Sequence, residues 1–164
     1  MAKFTTLTSH AVPFPAENVD TDQIIPARFL KVTAKDGLGD SLFCDWRYLK
    51  DGSPNPDFVL NEPASQGAQI LLAGHNFGSG SSREHAPWAL VGWGFRAIIS
   101  TGFADIFKSN SLKNGLLPVE VPPEVYKTLL QMVQADRSTR ITIDLPSQSV
   151  TGLKGLEATF PIDA

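Results

Sequence analysis

The sequence predicts an α/β domain: a partly parallel sheet flanked by helices, with additional β-strands at its ends. Three observations carry this expectation. Between residues 69 and 133, short apolar runs alternate with segments of helical periodicity. Residues 139–145 alternate residue by residue instead, with Ile141, Ile143 and Leu145 on one face, the pattern of a half-buried strand. The 164 residues, 42% hydrophobic and 19% charged, suffice for one domain with a genuine core, so 1–164 is taken as a single unit.

The elements follow in order. The first third is rich in turn formers. Asp20, Thr21 and Asp22 precede the apolar pair Ile24 and Ile25 and then Pro26, which reads as a strand end running into a loop. A long, partly mobile loop is expected over about 30–63, dense in Gly, Asp, Asn, Ser and Pro from residue 35 on, with a short helix or turn around 42–49. Loops of this length inside a compact domain are usually functional or disordered. Residues 69–73 form a buried strand, 74–80 a glycine-rich turn, 83–92 a helix and 97–100 a second buried strand. The helix over 104–113 is stopped by Asn114 and Gly115. Residues 116–121 give a third strand. Pro122 and Pro123 open a helix with apolar positions at Val125, Leu129, Leu130, Met132 and Val133. One or two short strands are expected over 150–160.

Composition excludes several classes. A net charge of -3 gives no electrostatic reason to expect nucleic acid. No apolar run approaches membrane-spanning length. Met1, Ala2, Lys3 and Phe4 open no signal-peptide pattern. The one cysteine, Cys44, cannot form an internal disulfide or supply the ligand set of a zinc site or an iron–sulfur cluster. A reducing compartment fits this usage, and the expected location is the cytoplasm.

Residues 74–86 carry the chemistry. They lie between a predicted strand and a predicted helix, and α/β sheets bind ligands beyond the carboxyl ends of their strands. Gly78 and Gly80 permit close backbone approach. The helix that follows presents its positive end, so the turn suits an anion. Arg83 adds a planar fork matched to a carboxylate. The Walker lysine and the GxGxxG spacing are both absent, which disfavours a nucleotide. A carboxylate or phosphate of a small substrate is the expected ligand.

Ser81 has two readings. With Glu84 it matches a capping box and would merely start the helix. That start would put Pro87 six positions in, where the ring clash and missing N–H are costly. A helix beginning at Ser82 or later leaves Ser81 in the loop, where positive partners make its hydroxyl easier to deprotonate. His75 and His85 fit no familiar zinc spacing, and no metal is expected on this chain. His85 is expected to bond within the site or orient Arg83, and His10 to lie at the surface. Trp88, Trp93 and Phe95 read as core or interface aromatics. Asp105, Asn110 and Asn114 read as helix-end or loop anchors.

Residues 76–86 resemble the signature of the swivelling domain of the aconitase superfamily. Residues 18–26 resemble that family's N-terminal motif, and 103–107 with 110–118 resemble its third. The run 36–39, with Leu42, Phe43 and residues 45–47, resembles the bacterial isopropylmalate dehydratase small subunits, one branch of the family. The motifs occur in order and span nearly the whole chain. The resemblance implies a swivelling β/β/α domain, as in the aconitase C-terminal domain. Such a domain closes over a large subunit holding a [4Fe–4S] cluster, so the unit is a heterodimer and this chain binds no cofactor itself. It implies a hydro-lyase of leucine biosynthesis that converts 2-isopropylmalate to 3-isopropylmalate by losing and regaining water, inactive without the large subunit.

Site residues follow from the same resemblance. Ser81 matches the base that takes a proton next to a carboxylate, with the partner's iron helping the hydroxyl leave. Arg83 and Ser82 match residues that bind the substrate carboxylate or support Ser81. Asp22 and Arg28 come from the N-terminal motif as substrate-binding candidates; their plainer readings are a turn-forming acid and a solvated surface charge. Leu30 is the candidate for apolar contact with the isopropyl group. The family usually continues past residues 160–163 into a helical tail, which is expected here to be truncated or short. Two other readings stay open. One is the small subunit of a sibling hydro-lyase acting on homocitrate, citraconate or a methylated malate. The other is a non-catalytic dicarboxylate-binding module.

Overall fold

The computed structural model describes residues 5–26, 38–80, 84–152 and 157–160. Within them the strands are β1 (Thr6–Phe14), β2 (Ile70–Ala73), β3 (Ala97–Ser100), β4 (Leu117–Glu120), β5 (Arg140–Asp144), β6 (Ser149–Thr151) and β7 (Glu157–Thr159). They form one sheet in the order β4-β3-β2-β1-β5-β6-β7. From β4 to β1 the pairings are parallel; from β1 to β7 they are antiparallel. The α/β class and the partly parallel sheet with extra strands are therefore realised.

The nine-residue β1 is the hinge of this arrangement, and sequence patterning does not locate it. Its first half, Thr6 to His10, pairs with β5, and its second half, Ala11 to Phe14, pairs with β2. Pro13 argues against a central strand, yet its position here is harmless. Gly74 donates to the Phe14 carbonyl at 3.2 Å, so Phe14 turns its polar groups toward β2. Pro13 then points its nitrogen the other way, where the β5 ladder has already ended.

Alternation along the strands splits the core into two faces. Val12, Phe14, Leu71, Ala73 and Ile98 point to one face; Ala11, Ile70, Leu72, Ala97 and Ile99 to the other. The first face is covered by α1 (Thr21–Ile24), α2 (Cys44–Arg47) and α3 (His85–Trp93), and by Phe107 of α4 (Asp105–Lys113). The second is covered by Leu129 and Val133 of α5 (Pro123–Ala135). Helix α4 ends at Asn114 with Gly115 at φ 79°, the left-handed stop that the sequence announces.

One expectation needs correction. Residues 20–25 are not a strand end. Asp20 accepts from the Gln23 amide at 2.8 Å, and the Gln23 side chain accepts from the Asp20 amide at 3.0 Å. This reciprocal capping box folds Thr21–Ile24 into a helical turn. His10 lies at the surface as expected, half-buried, with Nε2 3.0 Å from the Gln66 carbonyl.

The described part of the long loop, from residue 38, carries its own core. Short 3-10 turns occupy Leu38–Ser41, Val59–Asn61 and Pro63–Ser65. Leu42, Phe43, Phe58 and Leu60 are buried. Phe14, Phe43, Trp46 and Phe58 form a four-ring cluster with every pair of centroids between 5.2 and 6.0 Å. Arg47 donates to the carbonyls of Gly39 and Leu42 at 3.2 and 3.0 Å, closing the preceding turn. Gly39 lies against the backbone of α3: a β-carbon there would come within 2.4 Å of the Gly92 carbonyl carbon. Residues 27–37, including the first part of the expected loop, lie outside the described residues.

Candidate active site

Beyond the carboxyl end of β2, the glycine-rich segment does not fold back on itself. It continues as an extended lane between two others. On one side lies 18–21, leaving β1; on the other lies 102–104, leaving β3. Asn18 donates to the His75 carbonyl at 2.8 Å, Gly78 to Val19 at 2.7 Å and Thr21 to Ser79 at 2.8 Å. Across the other seam, Phe77 donates to Gly102 at 3.2 Å and Ala104 to Phe77 at 3.1 Å. Asp20 with Ser79 and Phe77 with Phe103 form parallel bridges.

The glycines make this packing possible. A β-carbon on Gly74 would meet the Ala16 carbonyl oxygen at 2.1 Å. Gly78, at φ 85°, lies against Phe107, whose Cγ would be 2.2 Å from an added β-carbon. Ser100, fully buried, donates to the carbonyls of Gly74 and Gly102 at 2.9 and 3.0 Å and so ties the strand ends together. The result is a rigid base that delivers Gly80 beside Asp20 and Thr21, one residue before Ser81.

Of the candidate residues, Asp22 is described. It is exposed in the first turn of α1, next to the Thr21 that donates to Ser79. Its turn and Gly80, the last described residue of the glycine-rich segment, thus lie side by side. Ser81, Ser82, Arg83, Arg28 and Leu30 lie outside the described residues. Helix α3 nevertheless bears on the two readings of Ser81. Glu84 occupies the N-cap and His85 is the first helical residue. Pro87 is then the third helical residue, where no intrahelical bond needs its N–H. Trp88 makes the first such bond, to the Glu84 carbonyl at 3.1 Å. Among the described residues the helix begins at His85, and Glu84 before it already has a right-handed helical backbone.

The neighbouring residues have identifiable work. Nδ1 of His75 is 2.9 Å from the Thr101 hydroxyl, and its ring lies over Gly102. The His85 ring lies 4.9 Å from that of Trp88, whose indole N–H donates to Asn114 at 2.9 Å. Asn114 also donates to the Asn110 carbonyl at 2.8 Å, the anchoring role expected of it. Trp93 stacks on the buried Phe95 at 4.7 Å.

Sequence reasoning passes over three residues here. Asn18 and Asn76, both with left-handed backbones at φ 57° and 60°, join side chain to side chain at 3.1 Å. Their asparagine identity in a glycine-rich turn is a local signal for that conformation, but nothing in the sequence pairs them. Tyr126 of α5 borders a shallow dip of about 450 Å³ on the far side of the strand ends, together with Glu17, His75 and Thr101. Burial, with the Glu17 carboxylate second, raises the Tyr126 phenol well above its ordinary value.

The sequence and the overall fold are matched by known proteins. The chain belongs to the aconitase C-terminal domain family, whose model matches residues 1–124. A second model, LeuD_N, matches residues 127–164. Within the family the chain is similar to proteins named 3-isopropylmalate dehydratase small subunit. It is 57% identical to that of Roseiflexus sp. (strain RS-1), over 99% of this chain and 80% of the relative. It is 60% identical to that of Anaeromyxobacter dehalogenans, over 96% and 80%. The crystal structure of 3-isopropylmalate dehydratase from Methanocaldococcus jannaschii superposes with a TM-score of 0.69 at 26% identity, covering 96% of this chain and 84% of that one. Among the described residues no helix is long and apolar enough to cross a membrane.

Proposed function

We propose that this chain is the small subunit of a 3-isopropylmalate dehydratase and that, joined to a large subunit as a heterodimer, it interconverts 2- and 3-isopropylmalate in the cytoplasm. The reaction removes water and adds it back with the opposite regiochemistry. Identity of 57% and 60% with small subunits of that name, along almost the whole chain, carries this reading.

Ser81 is the base in this proposal. The proton it takes lies next to a carboxylate and is weakly acidic, so charge developing on the substrate needs electrostatic support. Arg83 and Ser82 supply it together with the positive end of α3. Asp22 and Arg28 complete the polar wall, and Leu30 meets the isopropyl group. What supports this is the lane of 75–80 docked on 18–21, which brings Gly80 beside Asp20 and Thr21, next to the turn that bears Asp22. A [4Fe–4S] cluster is assigned to the large subunit. Cys44, the one cysteine of this chain, is 9% exposed and, as a single buried thiol, does not fit a cluster ligand set.

The test is anaerobic co-expression with a large subunit, following isopropylmaleate by its absorbance. Wild type turns over. Ser81→Ala lowers turnover by roughly 10²–10⁴-fold while the two subunits still co-elute. Unimpaired turnover by Ser81→Ala removes the serine from the mechanism, and no isopropylmaleate from the wild-type pair sinks the assignment. Leu30→Arg shifts preference toward more polar malates; unchanged selectivity counts against its role.

A further inference from the structure

We propose that Asn18 and Asn76 are positioning residues that clasp the turn bearing Asp22 to the segment bearing Ser81. The inference rests on the dehydratase reading and assigns two residues to it that touch no reacting atom.

The ladder between 18–21 and 75–79 has an irregularity. Its first rung joins Asn18 to His75 and its second joins Val19 to Gly78. One side advances one residue while the other advances three. The surplus residues are Asn76 and Phe77. Phe77 spends both its backbone groups on the opposite seam, with Gly102 and Ala104. Asn76 bridges the interruption through its side chain, donating from Nδ2 to Oδ1 of Asn18 at 3.1 Å. The two asparagines thus occupy the place of a missing rung.

Both hold left-handed backbones, at φ 57° and 60°, where the direction of each lane is set. Asparagine adopts that conformation more readily than most residues. Four residues beyond Asn18 comes Asp22, and five beyond Asn76 comes Ser81. A change of angle at either asparagine therefore moves one candidate group against the other. Asn18 is exposed and Asn76 half-buried, so the bond adds little to global stability. Its effect is concentrated on the relative placement of the two lanes.

The experiment uses the assembled enzyme carrying N18G, N76G, the double variant or N76D. Glycine keeps the left-handed backbone accessible and deletes the bond; N76D keeps the size of the side chain and can still accept a bond from the Asn18 amide once that amide turns. Each glycine single variant should lower kcat about three- to tenfold, as expected for loss of one exposed hydrogen bond, with KM and the melting temperature nearly unchanged, and N76D should lose less than N76G. The double variant should fall no further than the deeper single, because both remove the same bond. Single effects that multiply in the double variant overturn the clasp. So does wild-type kcat in either glycine variant, or a loss in N76D as deep as in N76G, and so does a loss confined to KM or to melting temperature. Inactivity of the wild-type pair toward isopropylmalate instead removes the underlying dehydratase reading.

Discussion

Replacing Gly78 by alanine probes the base on which the candidate site stands. Two separate costs arise. The backbone sits at φ 85°, where a β-carbon costs about 1–2 kcal/mol. The new carbon would also lie 2.2 Å from Cγ of Phe107 and 2.6 Å from its Cβ. That ring cannot simply swing aside. Phe107 is 3% exposed, meets Phe77 edge-on at 5.4 Å and stacks on Phe103 at 6.3 Å. Forcing extra volume into such packing costs about 1–3 kcal/mol. The sum of about 2–5 kcal/mol should lower the melting temperature by roughly 4–20 °C for a chain of this size. A urea titration of the isolated chain measures the cost directly. The decisive comparison is G78A in an F107A background, where the steric part vanishes and only the backbone part of about 1–2 kcal/mol remains. Equal costs in the two backgrounds would refute the claim that Phe107 is what demands a glycine.

Further outcomes follow from the same packing. The Tyr126 hydroxyl is buried without a hydrogen-bond partner among the described residues, so Y126F should be at least as stable as wild type at neutral pH by urea unfolding. Its phenol is raised by burial and then by Glu17, so above pH 10 or so the unfolded chain ionises first and stability falls as pH rises toward the higher folded value. Y126F should lack that component of the alkaline loss, and parallel alkaline curves would contradict it. N114A removes the acceptor of the Trp88 indole and a bond to the Asn110 carbonyl, and should cost about 1–3 kcal/mol in unfolding experiments. N114D keeps the acceptor and should cost less; equal costs would show that the indole bond contributes nothing.

The parallel half of the sheet is legible because each of its later strands is an unbroken apolar run. Ile70 to Ala73 and Ala97 to Ser100 are buried on both faces, so no alternation is needed to recognise them. Pro122 with Pro123 and Asn114 with Gly115 punctuate the helices in the way the backbone requires. Strand β1 is harder. Pro13 and His10 blur its alternation, and its tolerance of proline depends on where a partner 130 residues away stops pairing. The turn at residues 20–25 combines a capping box with a β-branched pair, and the local pattern alone weights the second too heavily. At the site, the glycines announce close backbone approach, which Gly74 and Gly78 make, and Pro87 argues for a late helix start, which the described residues place at His85. The Asn18–Asn76 bond spans 58 positions, and no local rule joins them.

The divided pairing of β1 has a consequence during synthesis. Its second half finds β2 once residue 73 has been made, but the partner of Thr6 is Asp144, 138 positions later. Until that stretch leaves the ribosome, at about 5–20 residues per second, the N-terminal half of the strand presents a bare row of amides and carbonyls for several seconds. Strand β5 therefore seals the first strand late, and a nascent chain halted before residue 140 would retain an open, adhesive edge at the centre of its future sheet.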